Sequence, residues 1–283
     1  MRWQLQSKKI PTSQSELEEI LAHNRALQSQ QDISSFFNPT HPMDISLEDV
    51  AIDQEQLKVC LDVLLEAKIN KKKVVVCGDY DADGICASAV MWQILFAGGW
   101  NVTPFIPDRQ KHGYGLSHAA IDDLLAMEEP PEIVVTVDNG IVAHEPTQRL
   151  EEAGIQVLIT DHHQPEKDIN GAVVLPPATS VVYSTQLCGT TVGWMVGREL
   201  VHFFEQHDDA PSLQIAHDHM ALVLEKSLDL CGLATIADQV PLPGANRSFA
   251  WHGIAVLQKS MRPGLLALLE SSSSEQSQLD ETT

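Results

Sequence analysis

The chain has 283 residues, 43% of them hydrophobic, which excludes a disordered polypeptide and gives enough material for one large domain or two modest ones. Its formal charge is −21, with 39 Asp and Glu against 18 Lys and Arg, so extensive non-specific binding of nucleic acid is disfavoured, although a local basic groove is compatible with that balance. No stretch approaches the ~20 uninterrupted apolar residues of a membrane helix, Met1-Arg2-Trp3-Gln4-Leu5-Gln6 does not resemble a signal peptide, and Cys60, Cys77, Cys86, Cys188 and Cys231 form no CxxC pair, so a soluble cytoplasmic protein with buried thiols is expected.

In chain order, residues 1–70 read as a helical N-terminal arm. Ser13, Ser15 and Glu18 mark a helix start ahead of Leu17, Ile20 and Leu21. A turn-rich stretch follows at 34–39, and Leu57, Leu61, Leu64 and Leu65 then recur at helical spacing between about Gln54 and Lys68. From residue 73 the pattern alternates. Strands are expected at 74–77, 102–106, 133–137 and 155–160, with an edge strand at 172–175. Helices are expected at 85–96, after the cap Ser117, at 146–153, 193–204 and 214–236. Strands separated by helices imply βαβ units and an α/β fold, a doubly wound, mostly parallel sheet with flanking helices, over residues 71–270 with a helical C-terminal part. Residues 271–283, serine-rich and acidic, read as a disordered tail.

In an open α/β sheet, ligands bind beyond the carboxyl ends of the strands. Three polar clusters fall at that edge: Gly78-Asp79-Tyr80-Asp81-Ala82-Asp83-Gly84, Asp138 after Val137, and Asp161-His162-His163. Aspartate is a common turn and cap residue, so any one cluster reads equally well as local backbone chemistry. Three on one edge point elsewhere, because so many carboxylates repel one another strongly unless cations neutralise them. Carboxylates with one or two imidazoles suit Mn²⁺ or Mg²⁺ better than Zn²⁺. Two such ions about 3.5–4 Å apart activate a water and hold the leaving oxygen of an in-line phosphoryl displacement.

These segments, with Thr136-Val137-Asp138-Asn139-Gly140, resemble successive motifs of the DHH phosphoesterases, and more narrowly those of the RecJ-type single-strand-specific 5′→3′ exonucleases. Pro107-Asp108-Arg109 with Gly113-Tyr114-Gly115-Leu116-Ser117, and Asp229-Leu230 through Asp238 to Leu242 with Asn246-Arg247, look like two further RecJ-type segments. The resemblance covers residues 35–270. It implies that Asp81 binds one ion and Asp83 the other, that Asp138 bridges them, and that His162 and Asp238 complete the second site, with Asp79 a ligand or an orienting group. It further implies that His163 faces the scissile phosphate, that Asp161 fixes an imidazole, and that Arg109 clamps phosphate oxygens. Mn²⁺ or Mg²⁺ (two ions) and single-stranded nucleic acid, DNA foremost, follow as cofactor and partner.

The resemblance has departures. Thr191 stands where RecJ-type chains usually have a second glycine, and Leu175-Pro176-Pro177 replaces an Asn-Pro. The Gly-Gly-His segment and OB-like domain of that type are not recognised, so either a truncated product or a catalytic core with a partner or separate chain supplying a second domain is expected. Hydrolysis of short oligonucleotides or cyclic dinucleotides, and a non-catalytic scaffold role, stay open as alternatives. Gly189-Thr190-Thr191 precedes a helix, where its backbone donors are expected to hold a phosphate. His112, His118, His144, His202, His207, His217 and His219 read as surface or capping residues, and Trp92, Trp194 and Trp251 as core.

Overall fold

The computed structural model describes residues 7–25, 27, 29–206 and 211–272, in two units, Met1–Thr40 and His41–Thr283. Most of the expected tail, and His207, lie outside the described residues. In the smaller unit, α1 (Gln14–Asn24) is capped by Ser13, whose hydroxyl accepts from the Glu16 N–H at 3.2 Å. Residues 34–37, expected as turn, belong instead to α2 (Gln30–Phe37). A reciprocal capping box between Ser29 and Asp32 starts that helix and overrides its serine-rich composition.

The larger unit runs α3 (Gln54–Ile69), β1 (Lys73–Cys77), α4 (Ala82–Ala97), β2 (Asn101–Phe105), α5 (His118–Leu125), β3 (Ile133–Val137), α6 (His144–Glu152) and β4 (Gln156–Asp161). It continues with β5 (Glu166–Lys167), β6 (Val173–Val174), β7 (Ser180–Tyr183), α7 (Gly189–Gln206), α8 (Pro211–Lys226), α9 (Leu228–Ala237), α10 (Gly244–Leu257) and α11 (Pro263–Ser272). The main sheet has the order β2-β1-β3-β4-β7 with every neighbouring pair parallel. The chain adds β2 on one side of β1 and then β3 on the other, so the order reverses at β1, and a crevice opens beyond the ends of β1 and β3.

Both faces of the sheet are covered, which is why its strands read as β-branched runs without polar alternation. Val75, Cys77, Val134, Val157 and Ile159 pack with Ile121 and Leu124 of α5 and Leu150 of α6. Val74, Val76, Val135, Val137 and Leu158 face the other way and join a larger core that includes Leu57, Cys60 and Leu64 of α3, Met91 of α4 and Trp194 of α7. Thus α3, read from sequence within the N-terminal arm, contributes to the core of the unit beginning at His41. No described helix is long and apolar enough to cross a membrane.

Three local expectations change. Residues 173–174 pair only with β5, in a small antiparallel ladder, and the edge strand of the main sheet is β7, in register with Leu158–Asp161. Val173 and Val174 are exposed, whereas Val181 and Val182 are buried. The expected helix 214–236 breaks at Ser227, whose hydroxyl bonds back to the Val223 carbonyl at 2.7 Å while the chain turns from α8 into α9. Trp251 is 54% exposed, while Trp194 is fully buried.

Candidate metal centre

Each strand end delivers its acids through a defined local geometry. After β1, the Asp79 carboxylate is buried and accepts from the Tyr80 N–H at 2.8 Å. Asp81 is the N-cap of α4 and accepts from the Gly84 N–H at 2.9 Å. A Cβ at Gly84 would stand 2.5 Å from Asp79 Cβ, so a glycine there lets the first turn of α4 close onto the acids. Asp83, in that same turn, is buried, and its two oxygens accept from the Gly189 N–H at 2.6 Å and the Thr190 N–H at 2.8 Å. The amides at the start of α7, expected to hold a phosphate, therefore hold Asp83. A Cβ on Gly189 would meet Asp138 Oδ1 at 2.3 Å, which explains the glycine.

Asp138 leaves β3 with φ +61°, a left-handed conformation that Asp and Asn tolerate better than other non-glycine residues. Its amide donates to the Thr160 carbonyl, and its Oδ1 is buried with no hydrogen-bond donor among the described residues. His162 Nε2 lies 3.2 Å from that oxygen, 3.8 Å from Asp83 Oδ2 and 3.8 Å from Asp238 Oδ2. Asp238 arrives as the C-cap of α9, a position with no signal of its own in the sequence. Three sets of side chains each bring their oxygens and ring nitrogens within 4.8 Å of one another: Asp79, Asp81 and Asp138; Asp83, His162 and Asp238; and Asp138, His162 and His163. Every acid and imidazole expected at a metal is in one of these sets.

Asp161 stands behind them. Its buried Oδ1 accepts from the His162 and His163 amides and contacts His163 Nδ1 at 2.7 Å, while Oδ2 accepts from the Ile141 N–H. The other ring nitrogen of His163 is 3.0 Å from the Tyr114 hydroxyl. With Asp161 ionised, Nδ1 donates to it, and Nε2 accepts from the Tyr114 hydroxyl when the ring is neutral and donates to it when the ring is protonated. Asn139 ties the frame together, donating to the Cys77 and Val137 carbonyls and accepting from the Leu116 N–H.

Electrostatics divides the acids into two groups. Burial, then the Asp83, Asp81 and Asp161 carboxylates, pushes the Asp138 carboxyl up to about 10. Burial also raises Asp79 and Asp238. Burial pushes Asp161 upward too, but its hydrogen bonds with His163 and from the Ile141 and His163 amides outweigh that and hold it below the ordinary carboxylate range. The same hydrogen bond with Asp161 raises His163. A buried carboxylate oxygen without a donor, crowded by other carboxylates, is a poor structural device and a good cation ligand. The oxygen-rich donor set with one or two imidazoles fits a hard divalent ion.

Arg109 is exposed and does not enter the cluster; its guanidinium carbon lies 5.3 Å from the ring centroid of Tyr80, next to Asp79 and Asp81. His112, expected in a surface or capping role, is buried and caps its loop, with Nδ1 accepting from the Asp108 N–H at 2.8 Å and Nε2 2.9 Å from Asp123. It clips the loop that carries Arg109 and Tyr114. Neither Tyr114 as a partner of His163 nor the amides of Gly189 and Thr190 as partners of Asp83 could be found from sequence alone, because those contacts form only when the loops fold over the strand ends.

Residues 73–224 match the model of the DHH family, N-terminal domain. Two curated relatives are the single-stranded-DNA-specific exonuclease RecJ of Bacillus subtilis (strain 168), 31% identical over 243 residues (86% of this chain, 28% of the relative), and that of Thermus thermophilus, 34% identical (76% and 30%). The chain therefore spans less than a third of the length of either relative. Among solved structures, a manganese-bound exonuclease RecJ superposes with a TM-score of 0.61 at 32% identity, covering 76% of this chain and 51% of that one. The Mn²⁺ complex of the Thermus thermophilus RecJ gives 0.64 at 27% identity, covering 92% and 34%. With strand-end acids and imidazoles gathered on such a sheet, the chain belongs to the DHH family, and within that family its likeness is to RecJ.

Proposed function

We propose that this chain carries a two-ion phosphodiesterase centre, loaded with Mn²⁺ or Mg²⁺, that releases nucleotides from the 5′ end of single-stranded DNA. The observation that carries this reading is Asp138, whose Oδ1 is buried without a donor among the described residues and which is shared by two of the three side-chain sets. Asp81 and Asp79 with Asp138 would hold one ion, and Asp83, His162 and Asp238 with Asp138 the other. Such ions, when bound, acidify a water and neutralise the departing oxygen of a phosphodiester.

The rest falls to the protein's own groups. Asp83 is oriented by the Gly189 and Thr190 amides, so its ligand position is set before anything binds. Asp161 holds the His163 ring and favours its protonated form, which then faces an anionic phosphate oxygen. Arg109, stacked on Tyr80 beside the acids, would receive a phosphate of the strand. The manganese-bound RecJ structures and the single-stranded-DNA-specific relatives support the choice of metal and substrate.

A direct test offers 5′-labelled single-stranded DNA, its duplex and a dinucleotide to the protein in Mn²⁺. The expected result is mononucleotide release from the single strand, not the duplex, with Asp138→Ala slower by about 100-fold or more. Equal traces for wild type and Asp138→Ala would remove the reading. Cleavage confined to the dinucleotide would move the substrate to short oligonucleotides.

A further inference from the structure

At the opposite end of α9 from Asp238, the end of α8, the start of α9, α10 and residues 258–263 enclose a cavity of about 640 Å³. Asp229, in the first turn of α9, lines it, and nine residues of helix, about 13 Å, separate it from Asp238. The volume lies in the range of small-molecule sites, roughly 300–1,000 Å³. Its walls mix apolar side chains, Leu228, Val256 and Met261 among them, with charged ones.

The charged groups are unevenly engaged. Asp229 is neutralised from within: Arg262 Nε reaches its oxygens at 3.0 and 2.8 Å, the Ser260 hydroxyl donates at 2.7 Å, and the Leu230 amide donates at 2.7 Å. Lys226 and Lys259 also line the cavity, and neither forms an ion pair among the described residues. Glu225 is the remaining acid on the wall. His41 accepts the Met43 N–H on Nδ1, which leaves Nε2 as a donor, and its ring centroid is 4.8 Å from that of His252. Burial, and next the neighbouring His252, hold His41 below its ordinary value against the opposing pull of Asp44 and Glu225. On a chain of net charge −21, a crevice where Asp229 is paired with Arg262 and Lys226 and Lys259 outnumber Glu225 is an electrostatic exception. Its chemistry is that of an anion site with an apolar floor.

We propose that this cavity is a second binding site, for a phosphate-bearing anion of mononucleotide size. The phosphate meets Lys226 and Lys259, beside an Arg262 that Asp229 and Gln93 hold in place, and the uncharged part of the ligand lies against Leu228, Val256 and Met261. The site does not depend on the metal centre or on the reaction proposed there.

Calorimetry in EDTA, which keeps divalent ions out of the metal centre, tests this with deoxyadenosine monophosphate, deoxyadenosine and inorganic phosphate as separate probes. The nucleotide is expected to bind more tightly than either fragment. The double variant Lys226→Ala/Lys259→Ala is expected to weaken it about tenfold or more, and Asp138→Asn to leave it unchanged. Both lysines are exposed, so their removal spares the fold. The ring resonances of His41 provide an independent readout, expected to move on nucleotide addition in wild type and not in the double variant. Absence of millimolar binding, retention of full affinity by the double variant, or loss of affinity in Asp138→Asn would each overturn the proposal.

Discussion

Asp138 concentrates the tension of the site in one side chain: left-handed backbone, buried oxygen, no donor among the described residues, and three carboxylates nearby. Without cations that arrangement costs stability, and its pH dependence has a definite sign. The folded carboxyl, pushed up to about 10, keeps a proton that the unfolded chain, with a value of about 3.9, releases. Stability of the metal-free protein therefore falls as pH rises between about 5 and 9. His163, raised by Asp161, adds in the same sense, since its contribution is complete below about 6.5 and is lost as pH rises through the folded value. Asp161, held low, matters only in acid. Urea melts across that range in EDTA are expected to show the decline, and a flat or rising profile would contradict it. Asp138→Asn keeps the shape and tolerates the same φ, so in EDTA it should raise Tm by about 2–4 °C, the equivalent of roughly 1 kcal/mol for a domain of this order. Asp161→Ala should do the reverse, costing about 1–3 kcal/mol by leaving the Ile141 amide without its acceptor. At this scale the sequence was informative where side chains sit on strand ends. Asp79, Asp81, Asp83, Asp138, Asp161, His162 and His163 announced themselves by following apolar runs. Asp238 needed the family resemblance, and Tyr114 and the α7 amides needed the folded loops.

Among the elements, the strands were legible because both faces of the sheet are buried, and short β-branched runs bounded by turn residues rarely form anything but buried strands. Residues 133–137 were read with the bounds the structure has. Two of the weaker readings failed because the sequence carries no local mark: β7 was passed over because only its pairing with β4 distinguishes it from 173–174, and the α8–α9 break has no proline or glycine to mark it. The packing of α9 on α10 was equally hidden. Gly232 and Gly253 bring the two backbones into contact, and a Cβ at 253 would lie 2.5 Å from Gly232 Cα and 2.5 Å from the Leu228 carbonyl oxygen. Because the obstacle is backbone, it cannot swing aside. Gly253→Ala is therefore expected to destabilise the protein by about 1–3 kcal/mol in chemical denaturation, and to loosen the placement of Asp238 at the end of α9. Unchanged stability in that variant would show that α10 can move off α9 freely.

Over the whole molecule, the net charge of −21 gains a local meaning, since part of it is packed against itself beyond the carboxyl ends of β1, β3 and β4. Cations that bind only the folded state stabilise it by mass action, by about 2.7 kcal/mol at a hundredfold excess over Kd. Thermal melts should accordingly rise when Mn²⁺ replaces EDTA, and the rise should vanish in Asp138→Ala. A calorimetric titration of metal-free protein with Mn²⁺, wild type and Asp138→Ala side by side, probes the proposed two-ion centre itself. Two ions per chain are expected in wild type, with binding sharply weakened in the variant. No Mn²⁺ uptake, or uptake indifferent to Asp138, would show that the strand-end acids do not form such a centre.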